Sequence, residues 1–339
     1  MNTTTVGLDL AKNVFHIVAL DAHGHELLKK RLSRGQVLKY FANLPACVVG
    51  MEACASSHHF GRSLGQLGHV VKLIPPQYVK GYLRGQKNDT NDARAIAEAT
   101  RVPGMRTVTV KSVAQQDVQA LVRLREGALQ ARTALVNRLR GLLGEYGIVA
   151  PKGVAALRRA LPEVLGDGDN GLSAAFRRWL ECERRQWLEL DAHVAELTAE
   201  LATLARQDDR VQRLQTVPGF GPIVASAFAS VVGDGQQFRC GRGASAALGL
   251  VPRQSSTGGK TVLLGISKRG DRYLRSLLIH GARAVANAAK RKEDRLSRWV
   301  NRLRETRGMN KATVALANKL ARIGWAILRY GTTYQAAVA

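Results

Sequence analysis

The first hundred residues alternate short apolar runs with segments of helical spacing, and the order of these segments limits the fold more than any other feature of the chain. TVGLDL (5–10) is an apolar run containing Gly7. FHIVALD (15–21) alternates apolar and polar positions before the turn-like AHGHE, and LLKKRL (27–32) returns as a third strand. QVLKYFANL (36–44) has helical spacing, and CVVGMEA (47–53) reads as a buried strand. A helix from about Ser57 to Leu67 follows, then the strand HVVKLI (69–74), which Pro75 and Pro76 stop. A further helix opens within GQKNDTNDARAIAE (85–98).

The predicted order is βββαβαβα, the order of a ribonuclease H-like α/β domain, assigned to residues 1–111. In such a sheet the first and fourth strands are neighbours, so Asp9, near the end of the first, and Glu52, at the end of the fourth, stand side by side. The later helix packs over their ends. Asp89 and Asp92 are three residues apart and share one face of that helix. Four carboxylates converging in this way repel one another unless cations fill the space, which makes a cage for hard metal ions with oxygen ligands. Two Mg²⁺ ions about 4 Å apart could stabilise both the attacking and the leaving oxygen of a phosphodiester displacement. Helix capping by Asp89 or Asn88 is the structural alternative. It explains one acid and leaves Asp92, Asp9 and Glu52 unexplained.

Residues 112–206 read as long helices. Leu121, Leu124, Ala128, Ala131, Leu135 and Leu142 fall on one seam, and Trp187, Leu190, Val194, Leu197, Leu201 and Leu204 follow the a/d pattern of a coiled coil. PEVLGDGDNG (162–171) is rich in turn formers and is expected to link the two helices into an antiparallel hairpin. Such a hairpin serves as a spacer, or it dimerises or grips nucleic acid.

The third segment, 207–339, is expected to be mainly helical. It begins with LQTVPGFGPIVASAFASVVGD (214–234), in which Pro218, Gly219 and Gly221 make a tight turn before a helix whose free N–H groups can face a phosphate. This is the pattern of a helix-hairpin-helix, which reads DNA shape through backbone contacts. The charge sits here as well. The chain has 51 Lys and Arg against 26 Asp and Glu, a net charge of +25, and residues 210–339 carry 23 of the bases and 5 of the acids, a balance of +18. A protein this basic asks for a polyanionic partner, here DNA or RNA. No apolar run reaches the roughly 18 residues of a membrane span, and the N-terminus lacks signal-peptide character, so a cytoplasmic, nucleoid-associated protein is expected. Cys47, Cys54, Cys182 and Cys240 form no CxxC pair, and Cys54 with the adjacent His58 and His59 does not make a metal site.

A second candidate chemistry lies in GLVPRQSSTGGKTVLLGISKRGDRYLR (249–275). Ser255, Ser256 and Thr257 precede Gly258, Gly259 and Lys260, with Arg253 upstream and Lys268, Arg269 and Arg272 downstream. Glycines let a backbone approach a phosphate, cations stabilise charge developing on it, and a hydroxyl can attack it. Read alone, such a loop is a phosphate contact or a flexible loop more often than a nucleophile. The GGK lacks the spacing of a P-loop, so nucleotide triphosphate binding is rejected.

Taken in order, VGLDLAKNVF, MEACASSHHF, KNDTNDARAIAE, TVPGFGPIVA, ALGLVPRQSSTGGK and ISKRGDRYLR resemble the DEDD insertion-sequence transposases, the family numbered one-hundred-ten, and within it the eleven-eleven subgroup, with the Piv DNA invertases as relatives. The resemblance covers nearly the whole chain. It implies a RuvC-like nuclease domain, a coiled-coil middle and a C-terminal transposase domain. It also implies that Asp9, Glu52, Asp89 and Asp92 bind Mg²⁺, and that a C-terminal serine becomes covalently joined to DNA. It further implies guidance by a noncoding bridge RNA pairing with donor and target DNA, and homodimers assembling to tetramers in which the acids of one subunit complete the serine site of another. The residue immediately before Gly258 is Thr257, so Ser256 is favoured as nucleophile, with Thr257 and Ser255 open.

The expectation is therefore an RNA-guided, site-specific DNA recombinase acting on element ends and target. The rivals are a metal-dependent nuclease or Holliday-junction resolvase without an adduct, and a non-catalytic architectural DNA-binding protein. A sugar kinase of the actin type shares the N-terminal fold class, but the basic C-terminal segment argues against it.

Overall fold

The computed structural model describes residues 4–86, 88–150 and 152–336. Contacts divide the chain into two compact units, Met1–Gln116 and Asp117–Ala339.

The first unit is a mixed five-stranded sheet with helices on both faces. Its elements run β1 (Thr5–Asp9), β2 (Val14–Leu20), β3 (Glu26–Ser33), α1 (Arg34–Ala42), β4 (Val48–Glu52), α2 (Ser57–Gln66), β5 (Val70–Ile74), the short α3 (Pro76–Val79) and α4 (Asp89–Arg101). The strand order is β3-β2-β1-β4-β5. β1 runs antiparallel to β2 and parallel to β4, and β4 runs parallel to β5. The expected order of elements stands, with α3 added where Pro75 and Pro76 end the strand, because proline is well placed in a first helical turn.

Alternation along each strand sorts the side chains onto two faces. Val6, Leu8, Phe15, Ile17, Val49 and Met51 point to one side, where Phe41 of α1 and Phe60 and Leu64 of α2 complete the main core. The opposite side belongs to α4, whose Ala93 and Ala97 pack with Val18 and Leu20. Gly7 and Gly50, paired across β1 and β4, lie on that side. A Cβ on Gly7 would sit 2.1 Å from the Ala93 carbonyl oxygen, and one on Gly50 would sit 1.7 Å from Thr100 Oγ1. The two glycines thus let α4 lie directly on the sheet. Asp9 and Glu52, each two residues beyond one of these glycines, inherit the same face.

The second unit is mostly helical: α5 (Val113–Glu145), α6 (Val154–Gly166), α7 (Ala174–Gln207), α8 (Asp209–Gln215), α9 (Pro222–Val232), α10 (Gly241–Ala247), β6 (Pro252–Gln254), β7 (Leu263–Ile266), α11 (Arg272–Ala288), α12 (Arg295–Arg307) and α13 (Met309–Tyr330). α5 and α7 run antiparallel: Arg125 Nε donates to Thr198 Oγ1 at 2.7 Å, Arg132 pairs with Asp191 at 2.9 Å, and Arg138 pairs with Glu183. Two expectations need correction. The segment 162–171 is not a simple link, since Pro162 through Gly166 complete α6, and the turn begins at Asp167. Arg177 and Asn170 donate to the Val164 carbonyl, and Arg177 also to that of Leu165, satisfying the end of a helix that a proline and a glycine-rich tail disguise. On α5, Leu124 (59% exposed) and Leu142 (39%) face outward, as does Ala131. Ala128 and Leu135 of the expected seam are buried and Leu121 packs beside them, but the rest of the buried stripe is Val122, Val136, Leu139 and Leu143. The α7 seam holds from Trp187 to Leu201.

One core in this unit joins α5, α6 and α7 around Trp187 and Phe176. Another joins Val122, Leu201 and Ala205 of the long helices to α8–α13.

Candidate metal centre and serine loop

Asp9 ends β1 and Glu52 ends β4, on adjacent parallel strands. Across the sheet α4 starts at Asp89. Its N-cap is Asn88, whose side chain accepts the Asn91 N–H at 2.8 Å. Capping therefore falls to Asn88 and leaves the Asp89 and Asp92 carboxylates to the site, where they also favour the positive end of the helix. Asp9, Asp89 and Asp92 each offer an oxygen within 4.8 Å of the others. Glu52 is outside that set, but its charge still acts on Asp9.

Asp9 shows what this proximity costs. Its carboxyl is pushed up to about 6, first by burial and then by the charges of Asp92, Asp89 and Glu52, while the Leu10 N–H works in the opposite direction. A half-buried aspartate whose ionisation is disfavoured, facing two further carboxylates in a site built of oxygen ligands, fits a hard divalent cation.

One residue at this centre was not found by motif reading. His16 faces Asp9 across the β1–β2 pairing, on the α4 side of the sheet. Its Nδ1 is buried and lies 3.5 Å from Asp89 Oδ2. Counting outward from a Leu10–Asn13 loop would pair residue 9 with residue 14, so only the observed register, which sets Asp9 opposite His16, brings this histidine to the centre. The other histidines nearby have structural partners. His58 accepts the Lys111 N–H and is held neutral to about pH 4, by burial and then by Lys111 and Arg62. His69 Nδ1 accepts the Cys47 N–H, so its Nε2 donates to the Phe41 carbonyl.

In the second unit, β6 and β7 form an exposed antiparallel hairpin. Ser255 N–H donates to the Val262 carbonyl and Lys260 N–H to that of Thr257, both at 3.0 Å. Gly258 and Gly259 have φ of +54° and +77°, as a tight turn with two left-handed residues requires. GGK is thus a hairpin tip. Ser255, Ser256 and Thr257 are all exposed on it. Ser256 Oγ accepts from Gln254 Nε2 at 2.8 Å and from the Val262 N–H at 3.4 Å.

Arg253, Lys260, Lys268, Arg269 and Arg272 are exposed along this hairpin and its foot. The foot is rigidly held. Ser267 and Lys268 N–H groups donate to the Val251 and Gly249 carbonyls. A Cβ on Gly270 would lie 2.0 Å from the Ala247 oxygen. Buried Arg275, which motif reading did not single out, donates to the Leu248 and Arg269 carbonyls. Gly219 has φ +84° and sits back to back with Gly281 of α11, so close packing accounts for it. Gly221 is the exposed N-cap of α9.

A family model of the DEDD IS110 type, described as "Transposase", matches residues 6–148, and one described as "Transposase IS116/IS110/IS902 family" matches residues 211–297. The chain is 49% identical over 336 residues to a Pseudomonas aeruginosa protein described as "Probable family 20 transposase", covering 99% of both chains. It is 44% identical to the transposase for insertion sequence element IS1111A of Coxiella burnetii, covering 97% of this chain and 91% of the relative. It is 42% identical to that for IS1328 of Yersinia enterocolitica, covering 98% and 99%. Both ends of the chain match at full length, the carboxylate sheet and the serine hairpin included, and on that ground the chain belongs to the IS110 family of transposases, with its IS1111 relatives.

Proposed function

We propose that the protein is a site-specific DNA recombinase, guided by a noncoding RNA, that excises and inserts its mobile element through a covalent bond between Ser256 and DNA. The observation that carries this reading is the convergence of Asp9, Asp89 and Asp92 on one face of the sheet, in a chain of a transposase family. The sheet order and the carboxylates at its strand ends support a ribonuclease H-like domain. Asp9, Glu52, Asp89 and Asp92 would hold divalent cations, in this reading two Mg²⁺, which when bound supply positive charge to the oxygens of a phosphodiester.

The chain's own residues do the rest. Ser256, on an exposed tip, attacks phosphorus; its Oγ–P bond forms as the P–O3′ bond breaks, the serine proton departs, and the 3′-oxygen leaves as a hydroxyl. The 3′-hydroxyl of another strand then reverses the attack, so the phosphodiester energy is kept and no ATP is needed. Arg253, Lys260, Lys268, Arg269 and Arg272 offset phosphate charge around the tip, and the α9 N-terminus at Gly221 offers backbone N–H groups to a phosphate. Among the described residues Ser256 hydrogen-bonds only Gln254 and Val262. Its own hairpin thus brings no base, and in this reading the acids, those of another subunit in a homodimer or tetramer, act on it. The same observation favours a second reading, a metal-only nuclease in which the hairpin grips phosphate.

Purifying the protein with its native flanking DNA present and sequencing the accompanying RNA tests the guide. One discrete RNA from the flank supports it, and random cellular RNA contradicts it. With that RNA, Ser256→Ala is expected to abolish strand exchange, as is Asp9→Ala. Full exchange by Ser256→Ala would remove the serine from the mechanism.

A further inference from the structure

We propose that His16 is a positioning residue of the carboxylate centre: its Nδ1–H donates to Asp89 and turns that carboxylate toward Asp9 and Asp92. The inference rests on reading the cluster as a metal centre. Of the three clustered aspartates, Asp89 most needs an external hold. It occupies the first position of α4, its side chain is 66% exposed, and no cap bond constrains it, because Asn88 takes the capping role. His16 is the reverse, with a side chain only 18% exposed on a strand interior. Its ring stands on the α4 face because residue parity along β2 puts Phe15 and Ile17 in the opposite core. Nδ1 has no hydrogen-bond partner at ordinary distance, and Asp89 Oδ2, 3.5 Å away, is an acceptor within reach of a small rotamer change.

A buried ring nitrogen with nothing else to bond is satisfied by donating to the one acceptor beside it, so Nδ1 is the nitrogen that carries a hydrogen toward Asp89. The group within 4.8 Å comprises Asp9, Asp89 and Asp92 and does not extend to His16. His16 therefore acts on the ligand Asp89, as outer groups around metal sites orient carboxylates.

The test uses full-length protein stripped of metal, with Mn²⁺ as probe. Nitrogen-15 NMR of His16 should show the Nδ1–H tautomer before any metal is added; an Nε2–H tautomer would overturn the proposal whatever the metal does. Mn²⁺ titration followed by electron paramagnetic resonance should show His16→Phe, which keeps the ring volume without the donor, binding about tenfold more weakly or worse. His16→Asn, whose side-chain N–H replaces that of Nδ1, should recover most of the loss. In an Asp89→Asn background His16→Phe should cost nothing further, because the effect passes through Asp89. Equal Mn²⁺ affinity of wild type and His16→Phe would sink the proposal and leave the metal centre intact. Failure of the wild type to bind Mn²⁺ at all would remove the metal reading itself.

Discussion

Replacing Asp9 by asparagine should make the metal-free protein more stable. Folding lifts the Asp9 carboxyl from 3.8 to about 6, and two such units correspond to about 3 kcal/mol at 1.36 kcal/mol each. The carboxyl is only partly buried, so solvent screening lowers this to about 1–2 kcal/mol. The sign follows from linkage: a raised folded-state value means that ionisation is disfavoured by folding, so stability is full below about pH 4 and is lost as pH rises through about 6. Asparagine keeps the shape and never ionises. In EDTA at pH 7.5, thermal unfolding of Asp9→Asn should therefore come about 3–8 °C above wild type, and the two should converge below pH 4. Saturating Mg²⁺ should shrink or reverse the gap, because only the wild type gains full binding energy. An asparagine variant less stable than wild type in EDTA at pH 7.5, or a gap that persists unchanged at pH 4, would refute the argument that burial and the neighbouring acids disfavour the ionised Asp9.

Gly7→Ala should push α4 off the sheet and cost about 3 kcal/mol or more by overpacking, with loss of Mn²⁺ binding, read by denaturant titration and paramagnetic resonance. Asn88→Ala should cost about 1 kcal/mol and loosen the turn that carries Asp89 and Asp92, seen as faster amide exchange at Asn91. Gly259→Val should strain the hairpin tip by about 1–2 kcal/mol. It should lower the unfolding temperature of its unit by about 2–8 °C, leaving it folded at working temperature, while suppressing strand exchange.

The N-terminal unit was legible because its strands are short apolar runs punctuated by turns, and because Asp9 and Glu52 terminate two of them. Asp89 and Asp92 announced themselves by their spacing at a helix start. What escaped was what depends on contact between layers. The need for glycine at 7 and 50 comes from α4, far along the chain, and His16 gains its place only through the β1–β2 register. In the helical unit, Pro162 and the glycines after it disguised α6, because Arg177 and Asn170 satisfy its end from outside the segment. On α5, apolar residues occur on more than one stripe, and periodicity alone chose Leu124 and Leu142 where packing buries Val122 and Leu143.

The most direct measurement is to incubate the protein and its co-purified RNA with element-end DNA and Mg²⁺, denature, and search by mass spectrometry for a nucleotide attached to the hairpin tip. The account predicts a phosphodiester adduct on Ser256 in the wild type and none with Asp9→Asn or Ser256→Ala. DNA cleavage without any adduct, or an adduct that survives Ser256→Ala, would contradict it.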